Sequence, residues 1–295
     1  LIISRKDSGL RTILTIQSHV AFGHVGNRAA VFPLERLGFD AIAVNTVQFS
    51  NHTGYGAWTG MVLPPDHIAD VLRGVEARGA MDGLHAVLTG YMGDAALGDV
   101  VLSAVTRAKQ GNADALYCCD PVMGDVGRGF FVRPGIPEFF RDRAVPLADI
   151  ITPNQFELEF LTGHTVTDLS SALSATRAAR KLGPRWVMVT SLTRSDAPDD
   201  RIEMLLDGPD GAFLVATPRL DLSPLPNGAG DCVAALFLAK FLETGDGQLA
   251  LSHAASAIYA VFKATHDAGQ RELQIIAAQD QLVHPSRFFS ASRVD

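Results

Sequence analysis

Short runs of apolar, often β-branched residues alternate along this chain with longer stretches whose apolar positions recur at helical spacing. The runs predict strands at residues 12–16, 41–44, 86–88, 116–119, 149–151 and 186–190. They also predict a hairpin of residues 201–206 with 212–216, around the turn Asp207-Gly208-Pro209-Asp210-Gly211. The helical stretches fall at 27–37, 66–78, 94–109, 155–161, 168–182, 231–243 and 248–265; Pro33 predicts a kink or a late start in the first. Strands this uniformly apolar, alternating with helices, predict an α/β fold: a mostly parallel sheet covered on both faces, with the hairpin as an antiparallel addition. No composition break or repeat divides the chain, so residues 12–295 are expected to form one domain behind a polar leader of residues 1–11.

Composition narrows the classes. The chain has 295 residues, is 47% hydrophobic and 19% charged, and carries a net charge of −7. Lysines stand only at 6, 109, 181, 240 and 263, and no basic run occurs, which argues against nucleic acid as a partner. An acidic protein that binds a nucleotide must compensate locally with helix ends, a metal ion or a few arginines. Three cysteines, two of them adjacent, make neither a disulfide framework nor a spaced zinc site. No stretch approaches the ~18 apolar residues of a membrane span. The opening LIISRKDSGLR is too short and polar for a signal peptide, so the cytoplasm is the expected compartment.

Candidate chemistry centres on Asn227-Gly228-Ala229-Gly230-Asp231, which runs directly into the apolar helical stretch beginning at Cys232. A helix N-terminus leaves backbone N–H groups without intrahelical partners and is electropositive, so a small-residue entry suits an anion, and Asp231 sets a carboxylate beside it. The same residues equally describe a glycine turn with an Asp N-cap. In open parallel sheets ligands bind beyond the carboxyl ends of the strands. There the chain places Gln17-Ser18-His19, Thr89-Gly90-Tyr91, Asp120-Pro121, Thr152-Pro153-Asn154 and Thr190-Ser191, a rim of hydrogen-bonding groups. Competing nucleotide motifs are missing: there is no GxxxxGK[ST] loop, no kinase HRD or DFG element, and Gly23-His24-Val25-Gly26-Asn27 is not GxGxxG.

The block Asn45-Thr46-Val47-Gln48-Phe49-Ser50-Asn51-His52-Thr53-Gly54-Tyr55 closely resembles the substrate-side signature of pyridoxal kinases. Ile16-Gln17-Ser18-His19-Val20, Gly23 to Asn27, Thr89-Gly90-Tyr91, Cys119 to Gly124, Thr152 to Glu157 and the NGAGD turn are similar to the same family. The resemblance implies a ribokinase-like three-layer α/β/α sandwich, a homodimer, and Mg2+-ATP-dependent phosphorylation of the 5′-hydroxymethyl group of pyridoxal or related vitamers. It implies Asp231 as the base and the N–H groups of Gly228, Ala229 and Gly230 as the hole for the γ-phosphate. It also implies Ser18, Val47, Phe49, His52, Thr53, Gly54 and Tyr91 around the pyridine ring, with Asp231 at its hydroxyl. On the nucleotide side it implies Asp120, Thr152, Asn154, Glu157, Thr190, Ser191 and Thr217-Pro218-Arg219-Leu220, with Asp120 and Glu157 organising the metal.

Two departures matter. Thr190 stands where some relatives carry Lys, which assigns phosphate charge there to the metal, a monovalent cation or Arg219. Ala229 replaces the Thr or Val often found between the glycines, a change the backbone N–H should not feel. The glycine-rich, charged segment Gly124 to Phe131 reads either as a flap near ATP or as a surface loop. Rival readings are a hydroxymethylpyrimidine kinase, a vitamin B6 binding protein with slow turnover and, third, a Rossmann dehydrogenase.

Overall fold

The computed structural model describes residues 11–295. The leader expected at residues 1–11 lies outside the described residues except for Arg11, which already belongs to the first strand.

From β1 (Arg11–Val20) the chain passes through α1 (Asn27–Arg36) to β2 (Phe39–Phe49) and the short β3 (Gly60–Val62). Next come α2 (Pro65–Glu76), β4 (Ala86–Thr89), α3 (Gly98–Gly111) and β5 (Leu116–Cys119). A small ribbon of β6 (Gly124–Asp125) and β7 (Gly129–Phe130) and a short α4 (Ile136–Phe139) precede β8 (Ile150–Ile151). Then follow α5 (Gln155–Thr162), α6 (Leu169–Arg180), β9 (Trp186–Leu192) and the hairpin β10 (Arg201–Gly208) with β11 (Gly211–Pro218). The chain closes with α7 (Ala229–Thr244), α8 (Gly247–Asp267), α9 (Gln279–Val283) and β12 (Ser292–Arg293).

One sheet orders the strands β12-β11-β10-β9-β8-β5-β4-β1-β2-β3. The six from β9 to β2 pair in parallel, while β3 and the β10–β12 group add antiparallel edges. Alternate residues of the inner strands enter two different cores. Leu88, Cys118, Ile150 and Met188 pack with α1, α7 and α8, whereas Val87, Cys119, Ile151 and Val187 pack with α3, α5 and α6. Burial on both faces is why these strands read as unbroken apolar runs.

Several boundaries moved for identifiable reasons. β1 and β2 continue well past the predicted residues 16 and 44, because their polar ends satisfy one another. Gln17 Nε2 donates to Thr15 Oγ1 (2.9 Å), Thr15 Oγ1 to Asn27 Oδ1 (2.9 Å), and Asn27 Nδ2 to Asn45 Oδ1 (2.8 Å). The first helix begins at Asn27 and runs through Pro33, so no late start occurs; Ala29, Ala30 and Leu34 are buried there. In the hairpin, Gly208 still pairs with Gly211, which reduces the expected five-residue turn to Pro209 and Asp210. Among the described residues no helix is long and apolar enough to cross a membrane.

Candidate active site

The helix α7 opens two residues earlier than its apolar pattern indicates. Its N-cap is Gly228, at φ 89°, and Asp231 lies in the first turn instead of capping it. Cys232 N–H makes the first intrahelical bond, to Gly228 O (3.0 Å), so the N–H groups of Ala229, Gly230 and Asp231 precede the ladder. Gly228 has no alternative: a Cβ there would lie 1.8 Å from His24 O, in a left-handed conformation that L side chains avoid. At Gly230 a Cβ would meet open space.

Asp231 turns its carboxylate across the fold, where Oδ2 accepts the N–H of Gly26 (2.9 Å). Gly26 is itself constrained, at φ 55°, with its Cβ position 2.3 Å from Ser18 Oγ. Ser18, from the end of β1, and Asp231, from α7, therefore both close on Gly26. Burial lifts the Asp231 carboxyl to about 6, with the Gly26 N–H pulling in the opposite direction.

Beside it lies a buried acidic group at the carboxyl ends of β5 and β8. Asp120 Oδ1 accepts Thr152 Oγ1–H (3.0 Å). Glu157 forms a capping box with Asn154 at the start of α5 and also accepts the N–H of Met123 (2.9 Å). Burial raises the carboxyl of Asp120, and the neighbouring charges of Glu157 and Asp231 raise it further; Thr152 opposes the shift. Glu157 is raised by burial against three backbone N–H bonds. Carboxylates crowded in this way favour a cation between them.

A cavity of about 660 Å³ joins these groups. Gly228, Ala229, Gly230 and Asp231 line it together with Asp120, Thr152, Asn154, Glu157, Thr190 and Ser191. Of the residues expected around a ring, Gly54 alone reaches this cavity wall. Val47 and Phe49 form a small apolar cluster with Val20, and Tyr91 packs against it. His52 is buried against Glu272, and Thr53 is an exposed residue of the 3-10 turn Thr53–Tyr55. Thr217 and Pro218 are the last residues of β11, Arg219 and Leu220 follow it, and none of the four is part of the cavity wall. Arg219 N–H donates to Asp200 O (2.8 Å).

The cavity shows what the sequence reading missed. Its lining cations are Arg128 and Arg271, not Arg219. Arg128 sits in the ribbon β6–β7, which forms part of the wall through Gly124, Asp125, Val126 and Phe131, so this segment is more than a remote loop. Arg271 Nη2 donates to Gly54 O (2.6 Å), and its guanidinium lies 3.9 Å from the Tyr55 ring centroid. The adjoining Glu272 accepts from Tyr55 OH (2.7 Å), His52 Nε2 (3.0 Å) and His24 N–H (3.1 Å). No local pattern marks either residue; they lie more than 200 positions from the groups they hold.

A family model described as phosphomethylpyrimidine kinase matches residues 34–275. The pyridoxal kinase PdxY of Rubrobacter xylanophilus is 57% identical over 96% of this chain and 97% of its own length. That of Deinococcus radiodurans is 53% identical over 97% of each. Among solved structures, a pyridoxal kinase from Leishmania donovani in complex with ADP and pyridoxamine superposes with a TM-score of 0.85 at 33% identity, covering 97% of this chain and 100% of that one. With matches over nearly its whole length, this chain belongs to the phosphomethylpyrimidine kinase family and, within it, to the pyridoxal kinases.

Proposed function

We infer that this protein is a pyridoxal kinase, which transfers the γ-phosphoryl group of ATP to the 5′-hydroxymethyl group of pyridoxal and yields pyridoxal 5′-phosphate in vitamin B6 salvage. The observation that carries the reading is the opening of α7. Free N–H donors and a buried carboxylate face one cavity, in a chain 57% identical to a named pyridoxal kinase.

The residues divide the work by geometry. The first-turn N–H groups of α7 are fixed donors at a positive helix end, which is where the charge of a transferring phosphoryl group is best stabilised. Asp231 accepts the proton of the 5′-hydroxyl; Gly26 holds one of its oxygens and leaves the other for the substrate. Thr190 and Ser191, at the end of β9, border the nucleotide side. Arg271 and Arg128, which line the wall, supply positive charge there. Ser18, His52, Gly54 and Tyr91, with the apolar faces of Val47 and Phe49, belong to the vitamer side.

The acidic group suits Mg2+. Burial raises both carboxyls, and the charge of Glu157 raises Asp120 further; Asp120 would hold the ion while Glu157 adds charge with both its oxygens bound to backbone N–H. Among the described residues no group of three His, Cys, Asp or Glu forms a complete ligand set by itself. Mg2+ commonly keeps waters and phosphate oxygens as its remaining ligands, so this sparse set fits it. When bound, the ion supplies Lewis-acid neutralisation of phosphate charge. A cytoplasmic homodimer completes the reading, and sedimentation at assay concentration measures the assembly.

An Mg2+-ATP assay with pyridoxal, pyridoxine and pyridoxamine, following 5′-phosphate formation, tests the function; no product from any of them would refute it. The pH profile tests the base. With its carboxyl near 6, Asp231 is protonated and inactive as an acceptor below that pH. The expected kcat/KM is level above about pH 7 and falls about tenfold per unit below about pH 6. A profile still level at pH 5 would contradict this assignment.

A further inference from the structure

His52 is anchored from one side. Its Nε2 meets Glu272 Oε1 at 3.0 Å, and the two side chains are only 7% and 12% exposed. Because an ionised carboxylate only accepts, Nε2 carries the hydrogen in that contact. Burial would raise the Glu272 carboxyl, but hydrogen bonds from Tyr55, His52 and the His24 N–H outweigh it and hold the group below the ordinary range. The other ring nitrogen, Nδ1, is buried with no hydrogen-bond partner. A buried unpaired ring nitrogen is costly, which points to a ligand that completes it. It lies 2.9 Å from the position a Cβ would take on Gly54, beside Asn227 Nδ2 at 3.0 Å from the same point. Gly54 and Asn227 both line the cavity.

The same carboxylate fixes the rest of the loop. Tyr55 OH donates to it, the tilted Tyr55 and His52 rings pack with centroids 4.6 Å apart, and Arg271 lies over the Tyr55 ring while holding Gly54 O. We propose that Glu272 is the positioning residue of the vitamer pocket, orienting His52 so that its free Nδ1 meets a polar substituent of the bound pyridine ring. The inference rests on the pyridoxal kinase reading and goes beyond it by giving a role to a residue outside every recognised motif.

The test is a double-mutant cycle on KM. Glu272→Ala is expected to raise KM for pyridoxal about tenfold or more, and KM for ATP by less than about twofold. His52→Ala should produce the same split, and the double variant should be no worse than the worse single one. Glu272→Gln keeps an oxygen acceptor for Tyr55 OH and should recover part of the loss. A general loss of fold would instead move both KM values and the thermal midpoint together. Equal rises in the two KM values, an unchanged KM for pyridoxal, or effects that multiply in the double variant would overturn the proposal. Absence of wild-type turnover would overturn the functional reading and this inference together, whereas wild-type turnover with an unchanged KM in Glu272→Ala overturns this inference alone.

Discussion

Replacing Asp231 by Asn is expected to lower kcat for pyridoxal phosphorylation by about 10²–10⁴-fold, the usual range for loss of a general base. The substitution is nearly isosteric, and its side-chain oxygen can still accept the Gly26 N–H that holds Asp231 Oδ2. The fold and the pocket should therefore persist. What disappears is the capacity to take a proton as the phosphoryl group arrives. Pyridoxal binding, measured at equilibrium without ATP, should change by less than about threefold, because the lost interaction matters mainly in the transition state. A variant within tenfold of wild-type kcat would remove Asp231 from the proton transfer. Loss of the acidic limb of the pH profile in the same variant would tie that limb to this carboxyl.

The second large effect is expected at Gly228. A methyl group there would enter within 1.8 Å of His24 O, and the residue would have to hold φ 89°. The left-handed conformation alone costs about 1–2 kcal/mol. Relief of the contact must move either the turn or the His24 carbonyl, and both support the donors at the start of α7. Displacing such donors by about 1 Å costs on the order of 10²-fold in rate. Gly228→Ala should thus lose about 100-fold or more in kcat and show a lower thermal midpoint. Gly230→Ala is the control, since its added Cβ meets open space and its backbone conformation is an ordinary one. That variant should fold like wild type, and any effect should appear in KM for ATP. Similar kcat losses in the two variants would contradict the distinction between them.

That distinction shows what the sequence conceals. Gly228 and Gly230 look equivalent in NGAGD, and only the packing of His24 against the turn separates a required glycine from a permitted one. The parallel sheet was legible because burial on both faces leaves a signature in each strand, as at Leu116–Cys119 and Trp186–Leu192. Strand ends were less so: Gln17 and Asn45 look like loop residues until their hydrogen-bond network is seen. The polar rim was legible in part: Asp120, Thr152, Asn154, Thr190 and Ser191 stand where an α/β sheet binds ligands and border the cavity, whereas Gln17-Ser18-His19 and Thr89-Gly90-Tyr91 do not reach its wall. Arg271 and Glu272 were not. Isolated charges in a segment without periodicity carry no local signal, and their partners are brought to them only by the complete fold.

The family model's description leaves a chemical alternative, a pyrimidine alcohol in place of the pyridine one. Both offer a hydroxymethyl group to the same base and the same donors, so the residues of the turn cannot distinguish them. The vitamer-side block from Asn45 to Tyr55 and the Glu272-held His52 can. The most direct measurement of the central claim is the ratio of kcat/KM for pyridoxal to that for hydroxymethylpyrimidine, with Mg2+-ATP at neutral pH. A ratio of about 100 or more in favour of pyridoxal is expected, as where buried polar groups are built to meet one ring and left unpaired by another. A ratio below one would contradict it.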